Sequence, residues 1–222
     1  MSPRNRLWAV AIALLPTLAL AGGAMLLGEA LALRTTPVPS ATDKPRELEP
    51  QGDFVHPTAG FALPEAVGEL RRVSVVQYDE AATNISVGYL RAAEGGNVWP
   101  ISATVYVYPV KGAGDIDEYF TKLLADVGRN HGGAQPAFRE NVTLCQGRFV
   151  GRYAAFGFEE PFFGVKLPLR SFVVLYRWRD WWVKWRVTTP APADGEPIRA
   201  MVQLTETVVP PPDARVVGHV RR

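Results

Sequence analysis

The stretch SFVVLYRWRDWWVKWRV, Ser171 to Val187, carries four of the six tryptophans and leaves its backbone little choice. Aromatic and β-branched residues dominate it, as a pleated surface favours. A two-residue turn at Arg179-Asp180 sets Trp178 opposite Trp181, Tyr176 opposite Val183, Val174 opposite Trp185 and Phe172 opposite Val187. Every pair on that face is apolar, and a slip of one residue would move the whole set to the other side. The opposite face pairs Arg177 with Trp182, Leu175 with Lys184 and Val173 with Arg186. Arg177, Trp182, Lys184 and Arg186 therefore read as a basic, aromatic-bearing face and are candidate binding residues. Such a face suits a nucleic-acid backbone, an anionic-lipid surface or an acidic glycan. The plainer reading packs Trp182 against its neighbours while the cations reach solvent.

Strand signals recur on both sides of this hairpin. Leu70–Tyr78, Asn84–Leu90 and Ile101–Tyr108 are rich in β-branched and aromatic residues, and the third alternates apolar with amphipathic positions. Further strands are expected near Phe138–Cys145, Gly147–Phe158 and Arg170–Thr188. Two helices interrupt them. Asp115–Asn130 opens on Asp115-Ile116-Asp117-Glu118, a capping pattern, and is stopped by Gly132-Gly133. Glu196–Thr207 places Ile198, Met201, Val202 and Thr205 on one stripe. Strands in succession around two helices predict an α+β fold with a mostly antiparallel sheet.

The N-terminus reads differently. Arg4 and Arg6 precede an apolar run from Leu7 to Leu33, and a Pro- and Thr-rich stretch follows. Basic, apolar, polar is the order of an export signal. Leu7 to Leu27 is long enough to cross a bilayer core of about 30 Å as a helix. Ala19-Leu20-Ala21 and Ala30-Leu31-Ala32 put small residues where signal peptidase cuts, so a cleaved signal and a signal-anchor both stand. The division expected is a signal peptide or anchor at 1–34, a Pro-rich linker at 35–53, one globular domain at 54–209 and a Pro-led basic tail at 210–222. The domain would lie on the extracytoplasmic (periplasmic) side, with membrane contact through the N-terminal helix.

Composition narrows the function. With 24 Lys+Arg against 22 Asp+Glu, the 222-residue chain has a net charge of +2 and gives no footing for a polyanionic partner. Export argues further against nucleic acid. One cysteine, Cys145, builds neither an intramolecular disulfide nor a multi-Cys metal site. Gly112-Ala113-Gly114 stands between a strand and a helix, but no phosphate-loop spacing follows, and Asp115, Asp117 and Glu118 occupy the helix start. Of the histidines, His131 sits at the first helix's C-terminus, where a partly positive ring suits the dipole. Cys145 with His131, or the adjacent Glu159-Glu160, would be the groups of a small exported hydrolase. Phe162-Phe163, beside them at a loop tip, is a second candidate contact. No catalytic residue, metal site or cofactor is assigned.

At the domain's start, Phe54-Val55-His56-Pro57-Thr58-Ala59-Gly60-Phe61-Ala62-Leu63-Pro64 resembles the entry of many small exported bacterial domains of unknown function. The order that follows, from hairpin strands and helix to an aromatic-rich hairpin and closing helix, is similar to the Mog1/PsbP-like α/β/α sandwich across residues 54–209. That resemblance implies a non-catalytic assembly or binding module. The expectation is a non-enzymatic envelope domain that binds a protein or envelope component. A small hydrolase and an anionic-lipid binding module are the alternatives.

Overall fold

The computed structural model describes residues 44–93, 99–112, 114–145, 147–191 and 195–211. Eleven strands and two helices occur among them, in chain order. The strands are β1 (Arg46–Leu48), β2 (Phe54–Val55), β3 (Ala62–Leu63), β4 (Ala66–Val67), β5 (Leu70–Gln77), β6 (Ile85–Arg91) and β7 (Ile101–Pro109). Helix α1 (Ile116–Asn130) comes next. After it come β8 (Pro136–Leu144), β9 (Phe149–Phe162), β10 (Val165–Trp178), β11 (Trp181–Pro190) and helix α2 (Glu196–Thr207). The main sheet runs β1-β5-β6-β7-β11-β10-β9-β8, with β4 on β5, while β2 and β3 pair separately. Each of these pairings is antiparallel.

The aromatic hairpin adopts the register its alternation dictates, with Trp178 opposite Trp181 and Phe172 opposite Val187. Arg179 turns it at a φ of +54°. Because successive side chains point to opposite faces, each strand feeds two cores. Val105, Val107, Tyr176, Val183 and Trp185 pack with Ala200, Met201 and Leu204 of α2 on one side. Tyr106, Tyr108, Val173, Leu175 and Trp182 pack with Phe120, Leu123, Leu124 and Val127 of α1 on the other. Helix α1 begins where its cap requires, the Asp115 carboxylate accepting the Glu118 N–H at 2.7 Å. It ends as Gly133, at φ +85°, donates its N–H to the Gly128 carbonyl at 2.8 Å.

The expected fold class needs correction. Strand makes up 51% of the described residues and helix 17%: the body is the mostly antiparallel sheet with two helices, but the Mog1/PsbP-like assignment and the N-terminal hydrophobic helix are withdrawn, since no link to that sandwich is shown. Strand length sets that balance: β9 and β10 run 14 residues each, and about half of the described residues lie in strands. The hydrophobic helix expected at residues 7–33 lies outside the described residues. Among the described residues, no helix is long and apolar enough to cross a membrane. Two local readings also differ. Arg46–Leu48, within the stretch read as a linker, is β1 and pairs with β5. On α2, Ile198 and Val202 are exposed, and the stripe that faces the sheet is Ala200, Met201, Leu204. Two neighbouring stripes on that helix are apolar, and only one can meet the sheet.

Candidate functional site

Helix α1 lies across the face expected to be a basic surface. Trp182 is stacked flat on Tyr119, ring centroids 5.1 Å apart and planes 6° from parallel. Lys184 is 2% exposed, with Nζ 3.7 Å from the centroid of the Tyr106 ring. Burial, with the Arg186 charge adding to it, lowers the Lys184 pKa from 10.5 to about 7. Arg186 is buried as well. Only Arg177 stays outside, at the hairpin end, where Nε donates to the Arg179 carbonyl at 2.7 Å. Arg177, Trp182, Lys184 and Arg186 thus form no common surface, because the amphipathic side of the hairpin is the one a helix covers.

What compensates Arg186 is a hydrogen-bonded chain. Its Nε donates to Ser171 Oγ at 3.1 Å and a terminal N–H to His131 Nε2 at 2.5 Å. His131 Nδ1 in turn donates to Glu160 Oε1 at 2.6 Å, and the ring stacks on Phe158 at 4.2 Å. This pattern needs a neutral His131 protonated on Nδ1, since Nε2 must accept. Burial and the Arg186 charge lower the ring's pKa against the pull of Glu160. The helix-dipole reading of a positive His131 therefore fails, because the local cation and desolvation outweigh it.

Of the groups named for a hydrolase, Glu160 meets His131, while Cys145 and Glu159 lie apart from that pair. Cys145 lies on the α2 side of the sheet, its thiol donating to the Thr205 carbonyl at 3.1 Å and its pKa raised by burial. His131 lies on the α1 side. Glu159 pairs with Lys166 at 3.1 Å while Glu160 faces His131. His56 is buried, its Nδ1 accepting the Ala59 N–H at 3.1 Å. Among the described residues no group of three or more His, Cys, Asp or Glu side chains is placed to hold a metal ion. Phe162 and Phe163 meet edge-on at the tip of the β9–β10 hairpin, Phe163 43% exposed. That tip projects past the neighbouring strands, since β8 pairs with β9 only as far as Phe156 and β11 with β10 only as far as Leu169.

The open feature of the α1 side lies elsewhere. The core beneath α1 draws on β7, β9, β10 and β11, so a groove remains between the helix flank and β8. One stretch, of about 450 Å³, lies between Leu124, Ala125 and Arg129 of α1 and Ala134, Pro136 and Arg139. A second, of about 320 Å³, lies between Asp117 and Phe120 of α1 and Arg139, Glu140, Asn141 and Arg152. Thr121 and Arg139 border both, so the two are continuous. The first stretch is mainly apolar, the second is lined mostly by polar and charged residues, and arginines and carboxylates share the rim. Arg152 is held by Asp117 through two contacts, at 2.6 and 2.9 Å, and Arg129 pairs with Asp126. Arg139 forms no ion pair among the described residues, its charge acting on Asp117 from a distance.

Strand β8 ends the sheet, and five consecutive residues, Ala137 to Asn141, are exposed. Every second residue of an end strand turns its N–H and C=O away from the sheet, a template for another strand. Arg139 and Asn141 pair with Ala154 and Arg152 on the α1 face, while Phe138, 48% exposed, tilts against Tyr153 on the α2 face. The sequence signal for this edge was its polar composition, PAFRENVTL, unlike the apolar inner strands.

Comparison with known proteins adds little. No family model matches the chain, and no curated protein matches it. A crystal structure of PA94 from Pseudomonas aeruginosa, a protein of unknown function, is similar with a TM-score of 0.45 and 18% identity. The match covers 57% of this chain and 83% of that one. A likeness of that size carries no functional meaning.

Proposed function

We propose that this chain is a non-enzymatic binding domain of the cell envelope, exported or held at the membrane by residues 7–33, that captures a protein or envelope component along β8. The observation that carries the reading is an uncovered end strand bordered by a groove that is apolar over one stretch and charged over the other, with Arg139 at their junction. The basic-apolar-polar order of the N-terminus supports the location. Against a hydrolase stand the separation of Cys145 from His131 and the engagement of the Glu160–His131 pair by the buried Arg186. Against a lipid-surface module stands the burial of Lys184 and Arg186 beneath α1.

Photo-crosslinking in intact cells making the full chain tests it. A crosslinking residue at Thr121 or Asn141, both on the groove, is expected to give the same discrete adduct. A crosslinker at Val202, exposed on α2 across the sheet, is expected to give none. Adducts confined to Val202, or equal from all three positions, overturn the reading.

A further inference from the structure

We infer that the occupant of this groove is an extended peptide segment of alternating apolar and acidic residues, added as a strand to the free edge of β8. The inference rests on the binding function just proposed and specifies its partner.

Three observations converge on that chemistry. The first is the backbone: β8 closes the sheet order, so half of its N–H and C=O groups point outward. Strand addition satisfies such groups through main-chain hydrogen bonds and leaves specificity to alternate side chains. The second is dimension. The groove borders α1 from Asp117 to Arg129, about 18 Å of helix, and β8 from Pro136 to Asn141, about 17 Å of strand. The part of β8 open to regular pairing, Phe138 to Leu144, is about 20 Å long and takes about seven residues of extended chain. The third is the chemistry on each face of β8. On the α1 face stands Arg139, at the junction of the two stretches of groove. Cross-strand neighbours lie about 5 Å apart, so a carboxylate on the added strand meets the guanidinium directly. On the α2 face the neighbour is Phe138, which an apolar residue one position along would cover. Glu140 also lies on that face and repels an acid there, which fixes the phase of the alternation.

The edge has defences, and they sharpen the inference. Pro136 starts the strand and the register shifts between Pro136 and Phe138, so pairing is confined to the part from Phe138 onward. A second copy of the same edge is disfavoured. In antiparallel self-pairing that keeps each face continuous, a two-fold axis through Arg139 or Glu140 sets like charges opposite each other, while one through Asn141 sets Arg139 against Thr143, a pairing that the oligomeric state decides.

Peptide binding to the full-length chain, read by fluorescence anisotropy, tests this. The probes are a labelled Val-Asp-Val-Asp-Val-Asp-Val peptide, its Val-Lys counterpart and two versions N-methylated on alternate amides. The acidic peptide is expected to bind and the basic one not. One N-methylated phase should abolish binding while the other leaves it intact, because only one set of amides faces β8. Arg139→Glu should weaken binding about three- to tenfold, and more at low salt. Equal binding of the basic peptide, or indifference to both methylation phases, overturns the inference. A dimer that Asn141→Pro dissociates, with no peptide bound, also overturns it by giving the edge to a second copy. If the peptides fail while Thr121 and Asn141 still crosslink, the strand inference falls and the binding reading survives. If both fail, both fall.

Discussion

Replacing Lys184 with methionine isolates the cost of an amine held beneath α1. Methionine keeps the length and most of the volume of the side chain and removes only the titrating group. In the native protein burial lowers the amine's pKa to about 7, against 10.5 when unfolded. Between those values the unfolded chain holds a proton that the native chain has released, so wild-type stability rises with pH. At pH 7 the native amine is about half protonated, at pH 9 about one in a hundred, while the unfolded amine stays almost fully charged. Integrated between these limits, the wild type gains about 2 kcal/mol relative to the Lys184→Met variant, which has nothing to titrate there. Urea unfolding of both full-length proteins at pH 7, 8 and 9 reads the difference, and the window stops short of tyrosine ionisation. A buried site predicts little dependence on salt. If the gap stays constant or moves the other way, Lys184 is solvated and the description of the α1 core is wrong.

The histidine chain predicts the acid side. Because burial and Arg186 hold His131 below its ordinary 6.5, the unfolded chain takes up a proton first as the pH falls below that value, and stability is lost. His56 is depressed too, chiefly by burial, so urea midpoints between pH 7 and 5 should fall less for His131→Gln and least for His131→Gln with His56→Asn. A slope unchanged in the double variant contradicts both placements. At the end of the groove a Cβ on Gly128 would come within 2.7 Å of the Ala134 carbonyl oxygen. Gly128→Ala should therefore cost about 1–3 kcal/mol despite its helical position, while a stabilised variant would contradict the close approach of helix and loop.

What could be read from the residues, and what could not, divides on a physical line. The hairpin register was legible because turn and alternation are local, and a one-residue slip carries a large penalty. Which face of that hairpin a helix would cover is a tertiary choice. Arg177, Trp182, Lys184 and Arg186 look like a solvated strip until α1 is laid over the last three. The same holds for α2, where two apolar stripes compete and Ile198 and Val202 lose. Strand β1 is three residues long, Arg46-Glu47-Leu48, too short to show an alternation, and its Arg46–Gln77 side-chain bond spans 31 residues of sequence. His131 and Glu160 are 29 residues apart in the chain, and no spacing rule links them. Strand β8 carried a usable signal in its polar residues, but they mark an edge without telling what meets it.

Amide hydrogen exchange on the full-length chain, with and without the alternating Val-Asp peptide, tests the claim that β8 is the docking edge most directly. The account predicts slowed exchange at alternate residues of Phe138–Leu144 and along the facing turns of α1, with no change at β1, the opposite edge of the sheet. Protection of β1 instead, or peptide binding that leaves β8 unprotected, would contradict it.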